Sequence, residues 1–155
     1  MSGLFEQSEK SNNILFAGIM ALSILILCLS YVGENFKAWM TILFLLLLFS
    51  SVIYGFVSKN PEKAFLLGFL IWALIPVYAA ITGIIDGLFV MSLAIVIICW
   101  AFICGILSGS IGYLTTVAHL NKKCRIGYLV LSVILFFILF YISSILFLFS
   151  AGDVF

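Results

Sequence analysis

Between residues 14 and 149 the chain is a succession of five apolar runs separated by a few polar residues each. A helix rises about 1.5 Å per residue, so about 20 apolar residues cross the ~30 Å hydrocarbon core of a bilayer. Runs of this length leave a chain little choice of environment. Only 8% of the residues are charged, 66% are hydrophobic, and the mean hydropathy is +1.39. A soluble domain carries roughly 25% charged residues, so a water-facing surface cannot be assembled here. A membrane β-barrel would need segments of about ten residues that alternate apolar and polar. The stretch ILFLLLLF at 42–49 does not alternate. The fold class is therefore all-α: a polytopic helical membrane protein with five transmembrane helices in a single domain.

The spans read as 14–32, 38–57, 64–85, 88–112 (with the helix continuing to about 119) and 126–149. Short tails, 1–13 and 150–155, flank them. The first run is longer than the apolar core of a signal peptide, and Cys28 is a poor cleavage-site residue, so the reading is a retained helix. The second run is leucine- and phenylalanine-rich with no small face over 41–49, which predicts a helix turned largely to lipid. The loop SKNPEK at 58–63 has turn chemistry: proline drives Asn60 away from the helical region, and Pro61 suits a helix start. Pro76 lies inside the third run, where it removes a backbone donor and predicts a kink. A static bend is favoured there over a working hinge. Asp86-Gly87 is a turn dipeptide that returns the chain into the fourth run. That run, 88–118, would make about 46 Å of helix, too much for the bilayer. Its last turns, rich in Tyr, Thr, His and Asn, are expected outside the hydrocarbon.

Charge orients the spans. An odd number of crossings places Lys10, Lys59, Lys63, Lys122, Lys123 and Arg125 on one side and Lys37 alone on the other. Short loops rich in Lys and Arg stay in the cytoplasm, which predicts N-terminus in and C-terminus out. Lys59, Lys63, Lys122, Lys123 and Arg125 are also the groups placed to meet anionic lipid headgroups. The net charge of +1 gives no ground for nucleic acid as a partner.

The fourth run carries the most informative pattern. Ala101, Gly105, Gly109, Gly112 and Thr116 recur at helical spacing and form one stripe of small residues. Gly105-x-x-x-Gly109 is the arrangement that lets two helix backbones approach closely in lipid. Packing against another span of the same chain is favoured over a seam between two copies. Gly83 and Gly87 on the third run make a second such pair, but at the outer end. The inner glycines therefore need a different partner, for which Ala17, Gly18 and Ala21 of the first run lie at a matching depth.

Chemistry-bearing groups are sparse. His119 stands alone, past the expected edge of the hydrocarbon, with no second histidine to share a metal, so an interfacial polar residue is the favoured reading. Asp86 reads as a turn residue before an ion ligand, because glycine follows it. Cys28, Cys99, Cys104 and Cys124 form no CxxC pair, and the first three sit in apolar runs as small apolar side chains. There is no glycine-rich phosphate loop, no HExxH and no Gly-x-Ser-x-Gly. No catalytic residue, metal ligand or cofactor is assigned, and an enzyme ranks last. The leading expectation is a non-enzymatic accessory, assembly or scaffold subunit acting through glycine-mediated packing. Its partners would be the bilayer and other membrane subunits or a second copy. The alternative is a component of a transporter or channel whose pathway forms by oligomerisation. The absence of an Asn-x-Ser/Thr acceptor agrees with a prokaryotic plasma membrane.

Overall fold

The computed structural model describes residues 2–32, 36–85, 91–121 and 124–151. Among these there are five helices and no strand: α1 (Ser2–Val32), α2 (Phe36–Val57), α3 (Pro61–Ile85), α4 (Met91–Leu120) and α5 (Arg125–Ala151). Four of them hold stretches long and apolar enough to cross a membrane, in Lys10–Leu29, Pro61–Ile85, Ala94–Leu120 and Arg125–Ile145. The apolar part of α2, Thr41–Val57, is shorter. The chain is a multi-pass helical membrane protein.

Side-chain contacts fix which helix ends meet. The Tyr54 hydroxyl near the end of α2 donates to the Asn12 carbonyl of α1 (3.4 Å). Lys63 Nζ, in the first turn of α3, donates to Asn13 Oδ1 (3.0 Å). Thr116, in the last turns of α4, donates to the Gly55 carbonyl (2.9 Å). Asn12, Asn13, the 58–63 loop and the end of α4 thus gather at one end of the bundle. Residues 2–12, expected as part of a tail, continue α1 without a break. The hydrogen bonds at Asn12 and Asn13 tie this polar section to its neighbours.

The α2–α3 corner is locally determined. Asn60 caps α3, its Oδ1 accepting from the backbone N–H groups of Glu62 (3.0 Å) and Lys63 (3.2 Å). Pro61 follows as the first helical residue, where its missing N–H costs nothing. The Ser58 N–H donates back to the Tyr54 carbonyl (2.7 Å), closing the end of α2. α3 continues through Pro76 to Ile85 as a single helix.

The core lies between α2, α3 and α4, around Leu48, Tyr54, Leu67, Ile71, Trp72 and Cys104. α2 is thus not the lipid-facing helix that its leucine content suggests. One stripe, Ile42, Leu45, Phe49, Ile53 and Phe56, is exposed, but Leu43, Leu47, Ser50, Ser51 and Tyr54 are buried. Leucine and phenylalanine serve either environment, so composition alone does not distinguish a lipid face from a core face in a membrane helix. The outer shell comprises side chains such as Phe102 on α4 and Phe137 and Tyr141 on α5, all exposed.

Candidate helix-packing seam

A helix that carries side chains on every face holds its neighbour some 8–10 Å away. Removing the β-carbon from successive turns lets backbones touch, which strengthens dispersion and weak Cα–H···O contacts in lipid. On α4 the stripe from Ala101 to Thr116 does this against two helices at once. A β-carbon on Gly109 would stand 2.7 Å from the Phe65 carbonyl oxygen of α3. One on Gly105 would meet the Phe69 ring at 3.1 Å and its carbonyl at 3.2 Å. One on Gly112 would be 2.7 Å from the Ala64 carbonyl of α3 and 3.3 Å from the Ser51 carbonyl of α2.

The contact is reciprocal. A β-carbon on Gly68 of α3 would lie 2.7 Å from both the Gly109 nitrogen and the Ser108 carbonyl carbon. One on Gly55 of α2 would overlap Thr115 Oγ1 and reach within 2.7 Å of the Gly112 carbonyl. Three helices therefore meet with backbone in contact at the level of Gly112. Thr116 adds a polar link, its hydroxyl shared between the Gly55 carbonyl (2.9 Å) and the Gly112 carbonyl of its own helix (2.9 Å). On the flank of the seam Phe65 and Phe69 stack with centroids 6.4 Å apart, and Phe102 meets Phe69 edge-on at 5.6 Å.

The remaining sequence-selected residues are distributed differently. Ala101 is buried on the same helix, while Gly83 is half-buried near the end of α3. Gly87 and Asp86 lie outside the described residues, as do Lys122 and Lys123. Pro76 is half-buried inside α3. Lys59 and Arg125 are exposed, whereas Lys63 is half-buried and held by Asn13. Lys63 also borders an open groove of about 530 Å³ between the start of α3 and the end of α4, floored by Phe65, Leu66 and Tyr113.

One expectation is overturned. The inner glycines do not pack on α1: Gly18 has nothing within 4 Å of its β-carbon position, and Ala17 and Ala21 are exposed. Their partners are Ala64 and Gly68 on α3 and Ser51 and Gly55 on α2, which sequence reasoning passed over. The signal was present. Ala64-x-x-x-Gly68 and Ser51-x-x-x-Gly55 are both small-xxx-small pairs, and both lie beside the 58–63 loop, at the start of α3 and the end of α2.

Among the described residues no three His, Cys, Asp or Glu side chains come together as a metal site. His119 is exposed, Cys104 is buried in the core, and Cys28, Cys99 and Cys124 are exposed. Compared with protein-family models, curated proteins and solved structures, the chain matches none.

Proposed function

We propose that the chain is a non-enzymatic accessory, assembly or scaffold subunit of a larger membrane assembly. One observation supports this above others: packing along α3 is uneven. Its buried residues, Ala64, Leu67, Gly68, Ile71 and Trp72, all fall in the inner half. From Ala73 to Ile85 every residue is half-buried or exposed, including the small residues Ala79, Ala80 and Gly83. The inner glycines are engaged within the chain, so this outer section is the small-residue surface that another helix would use. The partner is a second membrane subunit or a second copy, and the rest of the apolar surface meets lipid.

The protein sits N-terminus in, in a prokaryotic plasma membrane, with its basic end toward the cytoplasm. The gathering of Asn13, Lys63 and the end of α4 at one end of the bundle supports this orientation, because the basic loops flank that end. Lys59, Lys63 and Arg125 then face anionic headgroups, with Lys122 and Lys123 beside them in sequence.

Purification from native membranes in mild detergent tests the proposal. A defined partner should co-purify with the wild type and be lost in Gly83→Leu, while Gly83→Leu keeps the wild-type melting profile. Solute movement by the isolated chain in vesicles, abolished by Asp86→Asn, would instead favour a transporter or channel component.

A further inference from the structure

Most hydroxyls buried in this bundle turn back on their own helix. Ser23 donates to the Ile19 carbonyl (2.9 Å), Ser132 to Leu129 (2.8 Å) and Thr115 to Ile111 (2.9 Å). Such bonds satisfy a serine or threonine without help from a neighbour. Ser51 and Ser108 behave differently. Both are fully buried, and among the described residues neither hydroxyl has a protein partner. The same is true of Trp72 Nε1, on a side chain that is 1% exposed. A serine can rotate to find its own carbonyl. An indole N–H is donor only and fixed on a rigid ring, so it needs an acceptor brought to it.

The three groups come from the three helices that meet along the seam. The Ser51 main chain lies against Gly112, and the Ser108 main chain lies against Gly68. Ala64, Gly68 and Trp72 are spaced by four residues and form the stripe of α3 that faces α4. Helical side chains lean toward the N-terminus of their helix, and on α3 that direction runs from Trp72 toward Gly68. Ser108 is one turn from Gly112, where Ser51 approaches from α2. No Asp, Glu, Lys, Arg or His occurs between Lys63 and Asp86 on α3, or on α2 and α4 at this depth. The ligand chemistry is therefore neutral: one N–H that must donate, and two hydroxyls that donate or accept.

We propose that Ser51, Trp72 and Ser108 form an internal polar site between α2, α3 and α4 that binds water within the membrane-spanning bundle. Trp72 Nε1–H donates to the water oxygen, and the water hydrogens go to the serine oxygens. Buried waters make two to four such bonds, and ordered water is one of the means by which membrane helices satisfy polar groups away from bulk solvent. The site is separate from any partner surface on outer α3, so it stands or falls independently of the subunit role.

The test is nuclear magnetic resonance on protein labelled with 15N at the indoles and embedded in lipid nanodiscs. The Trp72 signal is assigned by its loss in Trp72→Phe. Its Nε1–H should show a direct, long-lived cross-peak at the water frequency, with opposite signs in the laboratory and rotating frames. That peak should fall at least two-fold in Ser108→Ala or Ser51→Ala. It should be unchanged in Ser50→Ala, whose hydroxyl bonds the Leu47 carbonyl of its own helix. A wild-type Trp72 proton with cross-peaks to protein protons alone would overturn the proposal, and needs no variant to fold. Persistence of the full water peak in both serine variants would overturn it as well.

Discussion

Adding one methyl group at Gly109 should be costly, and the cost can be worked from the geometry. An alanine β-carbon would stand 2.7 Å from the Phe65 carbonyl oxygen, about 0.7 Å short of ordinary contact at 3.4 Å. The obstacle is backbone, so no rotamer change relieves it. α3 and α4 must separate by several tenths of an ångström along the whole inner seam. A gap of about 0.5–1 Å forfeits a quarter to a half of each dispersion well, and each well is worth ~0.1–0.2 kcal/mol. Over on the order of 25 atom pairs between Gly105 and Thr116 the loss is about 1–2 kcal/mol. Strain in a packed interior adds about 1–3 kcal/mol. Alanine recovers at most ~1 kcal/mol through its better helix propensity. The net expectation is a destabilisation of about 1–4 kcal/mol, roughly a 5- to 1,000-fold fall in the folded-to-unfolded ratio. Gly18→Ala is the matched control. It makes the same chemical change on a transmembrane helix with nothing within 4 Å, and should be neutral or stabilising by up to ~1 kcal/mol. Both are measured by reversible denaturant titration of purified protein in mixed micelles, followed by circular dichroism. Equal shifts for the two variants, or a more stable Gly109→Ala, would refute the close-approach argument.

Other outcomes follow from the same contacts. Thr116→Val removes the bond to the Gly55 carbonyl and should lower stability by about 0.5–1.5 kcal/mol, whereas Thr82→Val, whose hydroxyl bonds Tyr78 and Ala79 on its own helix, should change it by less than about 0.5 kcal/mol in the same titration. Pro76→Ala restores a donor for the Trp72 carbonyl and should leave the unfolding midpoint unchanged or higher; a lower midpoint would mean that the bundle needs the proline's shape. Cys124, exposed at the basic end, should resist a membrane-impermeant maleimide in intact cells and react after permeabilisation, and labelling without permeabilisation would reverse the orientation. A reporter active only in the cytoplasm, fused after Phe155, should be silent.

The helices were legible because their cause is local. A run such as 126–149 is long and apolar whatever surrounds it, and Asn60-Pro61 stops one helix and starts the next through bonds inside a single turn. The stripe on α4 was legible for the same reason, since Gly105, Gly109 and Gly112 define a face through spacing alone. The partners of that stripe were not. Choosing among Gly18, Gly55, Gly68 and Gly83 requires depth and rotation of each helix, and in lipid no polar face marks which way a helix turns. Gly68 sits within PEKAFLLGFLIW, where its bulky neighbours conceal that Ala64 lies one turn away. The helical state of the tail at 1–13, where α1 begins at Ser2, was not legible for a related reason. Polar composition excludes the hydrocarbon but does not exclude helix, and the bonds to Asn12 and Asn13 come from residues more than forty positions distant.

The position of Gly112 explains why α4, rather than the leucine-rich α2, organises the bundle. A helix packed between two others must present close-approach surfaces in two directions, and glycine, lacking a β-carbon, opens both at one position. At Gly112 the Ala64 carbonyl of α3 and the Ser51 carbonyl of α2 both come within 3.3 Å of the β-carbon site. Thr115 and Thr116 then lie one turn on, where Thr116 bonds α2 and Thr115 fills the space left by Gly55. A substitution at Gly112 therefore disturbs two interfaces, whereas one at Gly105 meets Phe69 alone. Gly112→Ala should lower stability more than Gly105→Ala, even though each adds a single carbon. At Gly105 the Phe69 ring can turn aside and its carbonyl, at 3.2 Å, asks for a small shift of one helix, but the two carbonyls at Gly112 belong to backbones that would have to move in different directions. If the two variants were equally stable, α2 and α3 would be free to shift independently of α4, and the three-helix contact would not be the point on which the fold closes.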